Sequence, residues 1–390
     1  MQMLNRNVRS LDMSGGLYDI YQKALRMEAE GKSIIHMEIG RPDFDSPQKA
    51  KDGVIDALNR GEVYYTAMSG IPELRKAICE KEWNKNGLLV DPDTEIVVTA
   101  GGCEAILSVM MTIMDPEDAI MVPSPYFSAY EEMARIIGVE LVDVPLKLEN
   151  GFELHKEDLE EYYNERVKVV LINTPSNPSG AIIREEELMR IAEFAKEKDL
   201  IVISDETYDQ FLFEGVHKSI ATLPDMRERT IVVNSTSKTF SMTGWRVGYA
   251  IVPKEIMPFV NKVHQNMSTC ATSFVQYGVV DAYRSCDDFT KTMVNEFRIR
   301  RDILIEGLKK CKGVEFVVPK GAFYIFPKIA SFGLTSREFC NRLLDETGIA
   351  STPGNTFGKA GEGFFRLAYG CSREQVADAA ERLYEFTKTL

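Results

Sequence analysis

The chain has 390 residues, 44% hydrophobic and 27% charged, a composition that excludes disordered, collagenous and coiled-coil proteins. Its 46 basic and 59 acidic residues leave a net charge of −13, so there is no general positive field for nucleic acid or an acidic membrane. Any anionic ligand must meet a few placed cations and backbone N–H groups. The length predicts two domains and a core that needs no disulfide or structural metal.

In chain order, helical periodicity covers 17–30, followed by the short apolar run SIIHMEIG. A helix fits 47–60. IPELRKAICEKEWNKNG reads as another, with Pro72 in its first turn and Gly87 after its end. Short β-branched runs follow at 95–100, 119–124, 139–144, 167–173, 200–205, 230–235 and 247–252, with helices at 103–114, 126–137 and 184–198. Strands without strict polar alternation, interleaved with helices, predict an α/β fold: a three-layer large domain around a mostly parallel sheet. Beyond about 285 the texture changes. A helix fits 288–311, and a strand pair VEFVVPKGAFYIFP turns at Pro319–Gly321. Then come a helix at 335–347, a Gly-rich stretch 354–363, the strand FFRLAYG and a helix at 373–388. This predicts a smaller α+β domain built from both chain ends: 1–45 as N-terminal arm and part of the small domain, 46–287 as the large domain, 288–390 as the small C-terminal domain.

The seven cysteines include no CxxC pair, and their odd number suits reduced thiols in a cytoplasmic protein. The four histidines form no zinc motif. The first residues have no signal-peptide core, and the longest apolar stretch, 105–114, is too short to span a bilayer.

Ligands of open α/β sheets bind beyond the carboxyl ends of strands, so the residues following each apolar run are informative. Gly101-Gly102-Cys103 opens a helix and reads as an anion cradle or a tight turn. Asn177 sits in a rigid turn, Thr174-Pro175-Ser176-Asn177-Pro178-Ser179-Gly180. Asp205 ends an apolar strand, where a carboxylate needs a cation or a capping role; Tyr208 follows closely. Ser235, Ser237 and Lys238 stand at the next strand end, eight residues before Arg246. A partly buried lysine has a lowered pKa and can act as a nucleophile. A cofactor with a phosphate, a ring nitrogen, a phenolic oxygen and an aldehyde would use an anion cradle, an arginine, a carboxylate, a tyrosine, an amide and a lysine together. No GxGxxG follows a strand to open a helix, and no GxxxxGK[ST] is present.

Taken together, HMEIGRPDF, YTAMSGIPELR, TAGGCEAI, SPYF, NTPSNPSG, SDETYDQF, STSKTFSMTGWRVGY and FFRLAYG resemble, in order, the fold type I, pyridoxal-phosphate-dependent aminotransferases of class I/II. The resemblance covers nearly the whole chain. It implies that Lys238 binds the aldehyde of pyridoxal 5'-phosphate as a Schiff base and later moves the substrate proton. Asp205 would pair with the ring nitrogen, and Tyr208 and Asn177 would contact the phenolic oxygen. The phosphate would meet Arg246, Ser235, Ser237 and the N–H groups of Gly102 and Cys103, with Gly101 allowing close approach. Phe127 would stack on the ring, where a core aromatic role is the other possibility. Tyr65 would reach the phosphate of a neighbouring subunit, implying a homodimer with shared sites. Arg366 would grip the substrate carboxylate in a bidentate pair, with the Gly40 N–H nearby. Leu17, Tyr18 and Tyr324 could line the side-chain pocket.

Two departures bear on the substrate. Aspartate aminotransferases usually carry a Trp where Phe127 stands, and the prokaryotic subgroup a Lys where Cys103 stands. Strict aspartate specificity is therefore not expected; neutral, aromatic and basic donors stay open. Elimination, replacement, cyclisation and oxygen-using oxidation also remain open on sequence alone. A cofactor-sensing DNA-binding regulator is disfavoured by the acidic chain and by the match beginning within the first few dozen residues.

Overall fold

The computed structural model describes residues 4–9, 11 and 17–390, the side chain of Leu17 excepted. A seven-stranded sheet holds, from one edge, Ile96–Thr99, Gly248–Ile251, Thr230–Ser235, Ile201–Asp205, Val167–Asn173, Ala119–Ser124 and Glu140–Pro145. All run parallel except Gly248–Ile251, which is antiparallel to both neighbours. The register sets Asn173 beside Asp205 and Ser235 beside Gly248, which aligns the strand ends that carry polar side chains.

Both faces of the sheet are apolar, so helices cover both. Val97, Ile120, Val169, Ile203 and Ile231 pack against helices Gly102–Ile113, Ala129–Ile137 and Met257–Ser268. The alternate residues Ile96, Val98, Val232 and Ile251 meet Leu74, Ile78 and Val279, while Val170, Ile172 and Val202 meet helix Glu185–Glu197. This is the expected three-layer arrangement.

A second apolar cluster joins the two ends of the chain. Ile20, Ala24 and Met27 of helix Leu17–Ala29 pack with Phe297, Leu304, Leu343 and Leu383. Those four belong to helices Asp287–Leu308, Ser336–Thr347 and Arg373–Thr387. The last two begin with reciprocal side-chain caps, Thr335 with Glu338 and Ser372 with Gln375, as the T-x-x-E and S-x-x-Q spacings require. Here Ile35–His36 runs parallel to Ile349–Ala350, and Thr352–Pro353, Phe365–Ala368 and Tyr324–Ile325 form an antiparallel sheet.

The structure corrects several expected elements. SIIHMEIG contributes only two ladder residues, Ile35 and His36, and four residues later the Gly40 carbonyl accepts from Lys238. The expected pair over 314–327 is reduced to one bridge, Glu315 with Lys328; Gly321 bridges Leu212 instead. The helix from Pro72 ends at Lys81 and continues as a π turn, Glu82–Asn86, closed by Gly87 at φ +67°. Helices Lys156–Tyr162, Met257–Ser268 and Ser273–Ser285 add to those expected.

Candidate active site

A cavity of about 210 Å³ lies at the carboxyl edge of the parallel strands. Lining it are Gly40, Gly102, Cys103, Phe127, Asn177, Asp205, Tyr208, Ser235, Ser237, Lys238, Arg246, Tyr324 and Arg366, all singled out from the sequence. Ile106, Asn173, Thr207 and Thr243 also line it and escaped that reading. Tyr65 and Tyr18 do not; they are 85% and 73% exposed. The side chain of Leu17 lies outside the described residues.

Lys238 follows Ser235, whose hydroxyl caps the short helix Thr236–Thr239 by accepting from the Ser237 N–H. Its Nζ donates to the Gly40 carbonyl at 2.6 Å. Burial lowers its pKa to about 8, and the positive charges of Arg366 and Arg246 act in the same direction. An amine with that pKa is about one-quarter neutral near pH 7.5, against about one part in a thousand for an ordinary lysine.

Asp205 is buried at its strand end. Its Oδ1 accepts from the Thr207 N–H at 3.1 Å and its Oδ2 from the Tyr130 hydroxyl at 2.7 Å. Burial pushes its pKa up; those hydrogen bonds pull it back. Among the described residues, no cation lies within ion-pair distance of this carboxylate. Tyr130, the second residue of helix Ala129–Ile137, is a site-building residue that sequence reasoning missed. The Tyr208 hydroxyl lies 2.6 Å from that of Tyr324, and burial raises the Tyr208 pKa well above the ordinary phenol value.

The anion cradle is visible as geometry. The first turn of helix Gly102–Ile113 presents backbone N–H groups, and Gly101 takes φ +91°. A Cβ on Gly101 would fall 2.3 Å from Nη2 of Arg246. Among the described residues that guanidinium donates only to carbonyls, those of Thr243 and Ala100, at 3.0 and 3.1 Å. The Ser235 hydroxyl donates to that of Ser237 at 2.8 Å.

Arg366 is 3% exposed and has no carboxylate partner among the described residues. Its Nη1 donates to Asn177 Oδ1 at 3.0 Å, and its Nη2 to the Glu38 carbonyl and, at 3.2 Å, to Thr352 Oγ1. Its Nε has no partner. The rings of Tyr324 and Phe357 each lie 4.8 Å from the guanidinium carbon. Burial lowers its pKa. A buried guanidinium held by neutral acceptors is a receptor for an anionic group.

A nucleophilic amine, a buried acid and two separated anion receptors at a parallel-sheet edge define a cofactor-dependent α/β enzyme acting on a small carboxylate. Residues 32–383 match the family model of aminotransferase class I and II. The chain is 40% identical to an aspartate aminotransferase of Pyrococcus abyssi, over 93% of this chain and 94% of that one. It is 38% identical to aromatic-amino-acid aminotransferase 2 of Thermococcus litoralis, over 92% of each. The solved aspartate aminotransferase of Thermus thermophilus with maleate superposes with a TM-score of 0.94 at 36% identity, over all of both chains. The chain belongs to the class I and II aminotransferases: it is a pyridoxal-phosphate-dependent enzyme that moves an amino group between an amino acid and a 2-oxo acid. The donor set fits that cofactor. Lys238 could take the aldehyde and the unpaired Asp205 the ring nitrogen. The cradle that a Cβ on Gly101 would fill could take the phosphate.

Proposed function

We propose that this cavity is where transamination occurs and that its residues divide the work as follows. The electron sink for the pair left at the substrate Cα is what pyridoxal phosphate supplies when bound. Lys238 would hold the cofactor and, once released, its Nζ would take the Cα proton and deliver it to the cofactor carbon that bore the aldehyde; the pKa of about 8 supports this double role. Asp205 keeps a proton on the ring nitrogen, while Tyr208 and Asn177 bind the phenolic oxygen. Arg246, Ser235, Ser237 and the N–H groups of Gly102 and Cys103 hold the phosphate, with Gly101 giving clearance, and Phe127 covers the ring. Arg366 binds the substrate carboxylate beside Gly40, and Tyr324 steadies both Arg366 and Tyr208.

The observation that carries this reading is Arg366, a buried guanidinium without an acid partner, in the same cavity as an amine of lowered pKa. We further propose a donor whose side chain carries no carboxylate. Among the described residues, Lys238, Arg246 and Arg366 are the cations lining the cavity, and each already has a task. The unit is a homodimer with shared sites, Tyr65 serving the phosphate of the second copy. The exposed run Val63, Tyr64 and Tyr65 supports such an interface. We assign the domains as 46–287 for the large one and the two chain ends for the small one. Among the described residues no helix is long and apolar enough to cross a membrane, and the cysteines are free; we propose a cytoplasmic enzyme.

The test is a donor panel read by the cofactor spectrum, with and without Arg366→Ala. Loss of the guanidinium should lower kcat/KM by about 2–5 kcal/mol, the cost of breaking a buried charge pair. Unchanged efficiency overturns the carboxylate role, and release of ammonia without acceptor dependence overturns transamination at this cavity.

A further inference from the structure

A line of ionisable side chains with alternating signs runs from the N-terminal helix to the cavity. Glu28, in helix Leu17–Ala29, lies with Oε2 3.2 Å from Nε2 of His36. Nδ1 of His36 lies 2.7 Å from Oε1 of Glu38. Glu38 is fully buried, and its own backbone carbonyl accepts from Nη2 of Arg366. Two atoms on this line lack partners although buried: Oε2 of Glu38 and Nε of Arg366. Glu38 thus meets the guanidinium through its backbone, while the charge of its side chain acts on Arg366 without an ion pair between them.

We propose that His36 and Glu38 are positioning residues for substrate: His36 holds the Glu38 carboxylate away from Arg366 and so keeps the guanidinium open to the substrate carboxylate. This rests on the reading of Arg366 given above. A buried carboxylate takes the best cation within reach. While His36 is charged, it holds Oε1 of Glu38 through a charge-assisted hydrogen bond. With His36 neutral or absent, the Glu38 carboxylate is free to turn toward Arg366, which already binds the backbone carbonyl of the same residue, and substrate must displace an internal competitor.

The surroundings keep His36 charged. Its hydrogen bond to Glu38, aided by Glu28, raises its pKa to about 9 against the opposing effect of burial. The charged groups facing it are Glu38 from its own segment and Glu28 from the helix. That helix also brings the edge of the Tyr21 ring, with centroids 6.2 Å apart. The paired strand brings Ile349 and Ala350, neither of which titrates. Beyond Glu38 stands Arg366.

The experiment uses the holoenzyme. His36→Gln should raise KM for donor and acceptor about tenfold while kcat stays within about threefold, the signature of lost binding common to ground and transition states. Adding Glu38→Gln to it should bring KM back to within about threefold of wild type, because a neutral amide does not compete for a guanidinium. Unchanged KM in His36→Gln overturns the proposal, as does a double variant no better than the single. A second arm leaves the protein unmutated: the histidine resonances, four in number, are titrated with and without a 2-methyl amino acid, which binds but has no Cα proton to lose. Coupling is reciprocal, so the bound carboxylate should raise the His36 pKa; the same pKa in both states overturns the proposal even if the variants fail to fold. Arg366→Lys separates the two readings. If it weakens binding while both His36 arms are null, only this proposal falls.

Discussion

The hydroxyl of Tyr130 donates to Oδ2 of Asp205 at 2.7 Å, and both groups are buried. The tyrosine thus stabilises the charged form of an acid that burial disfavours. Tyr130→Phe leaves that oxygen unsatisfied, at a cost of about 1–3 kcal/mol. The expected outcome is weaker cofactor retention and a higher Asp205 pKa. Equilibrium dialysis of the cofactor against both proteins checks this; equal affinity removes Tyr130 from the set supporting the cofactor.

Lys238→Ala should leave the cofactor bound without a covalent link and lower turnover by at least about 10²–10⁴-fold, the usual contribution of a positioned acid–base group. Borohydride reduction followed by mass analysis reads the link directly. Cofactor still trapped on the variant would sink the assignment.

Gly101→Ala tests the phosphate cradle. The glycine has φ +91°, a region that L side chains rarely adopt, and its new Cβ would sit 2.3 Å from Arg246 Nη2. Displacing the guanidinium should weaken binding of the cofactor far more than binding of its dephosphorylated form. Parallel titrations with both forms measure the difference, and an equal loss for the two would place the damage elsewhere.

Stability should carry the mark of His36. Its folded pKa is raised from 6.5 to about 9, so its contribution is complete below pH 6.5 and disappears as pH rises through 9. Because the side chain is partly exposed, a contribution of about 1–2 kcal/mol is expected. Denaturant midpoints at pH 6.5 and 9.5 should converge in His36→Gln. A slope unchanged by the substitution would show that other groups titrate in this window.

The lysine, the acid and the glycine pair were legible because each directly follows a continuous apolar strand, where chain order alone locates the sheet edge. Tyr130 was not. Within AYEEMARII it occupies an ordinary inward helical position, and only the packing of that helix brings its hydroxyl to Asp205. Thr207 and Asn173 were near singled-out residues but carried no distinguishing spacing. Met257–Ser268 could have been read, since Pro258 in its first turn is a helix-start signal. The strand pair over 314–327 failed for a different reason: period-two alternation describes faces, whereas the partners of Gly321 and of Tyr324–Ile325, Leu212 and Leu367–Ala368, come from distant segments.

The reversed strand Gly248–Ile251 has a consequence for how this enzyme can vary. It runs back from the edge where Thr230–Ser235 ends, with Gly248 opposite Ser235. One short excursion between those two paired residues therefore carries both Lys238 and Arg246. Their separation is set by the short helix Thr236–Thr239 and the loop that follows it. An inserted residue there would move the amine relative to the guanidinium that is proposed to anchor the same small molecule. Substitution in this segment should therefore be tolerated better than any change in its length.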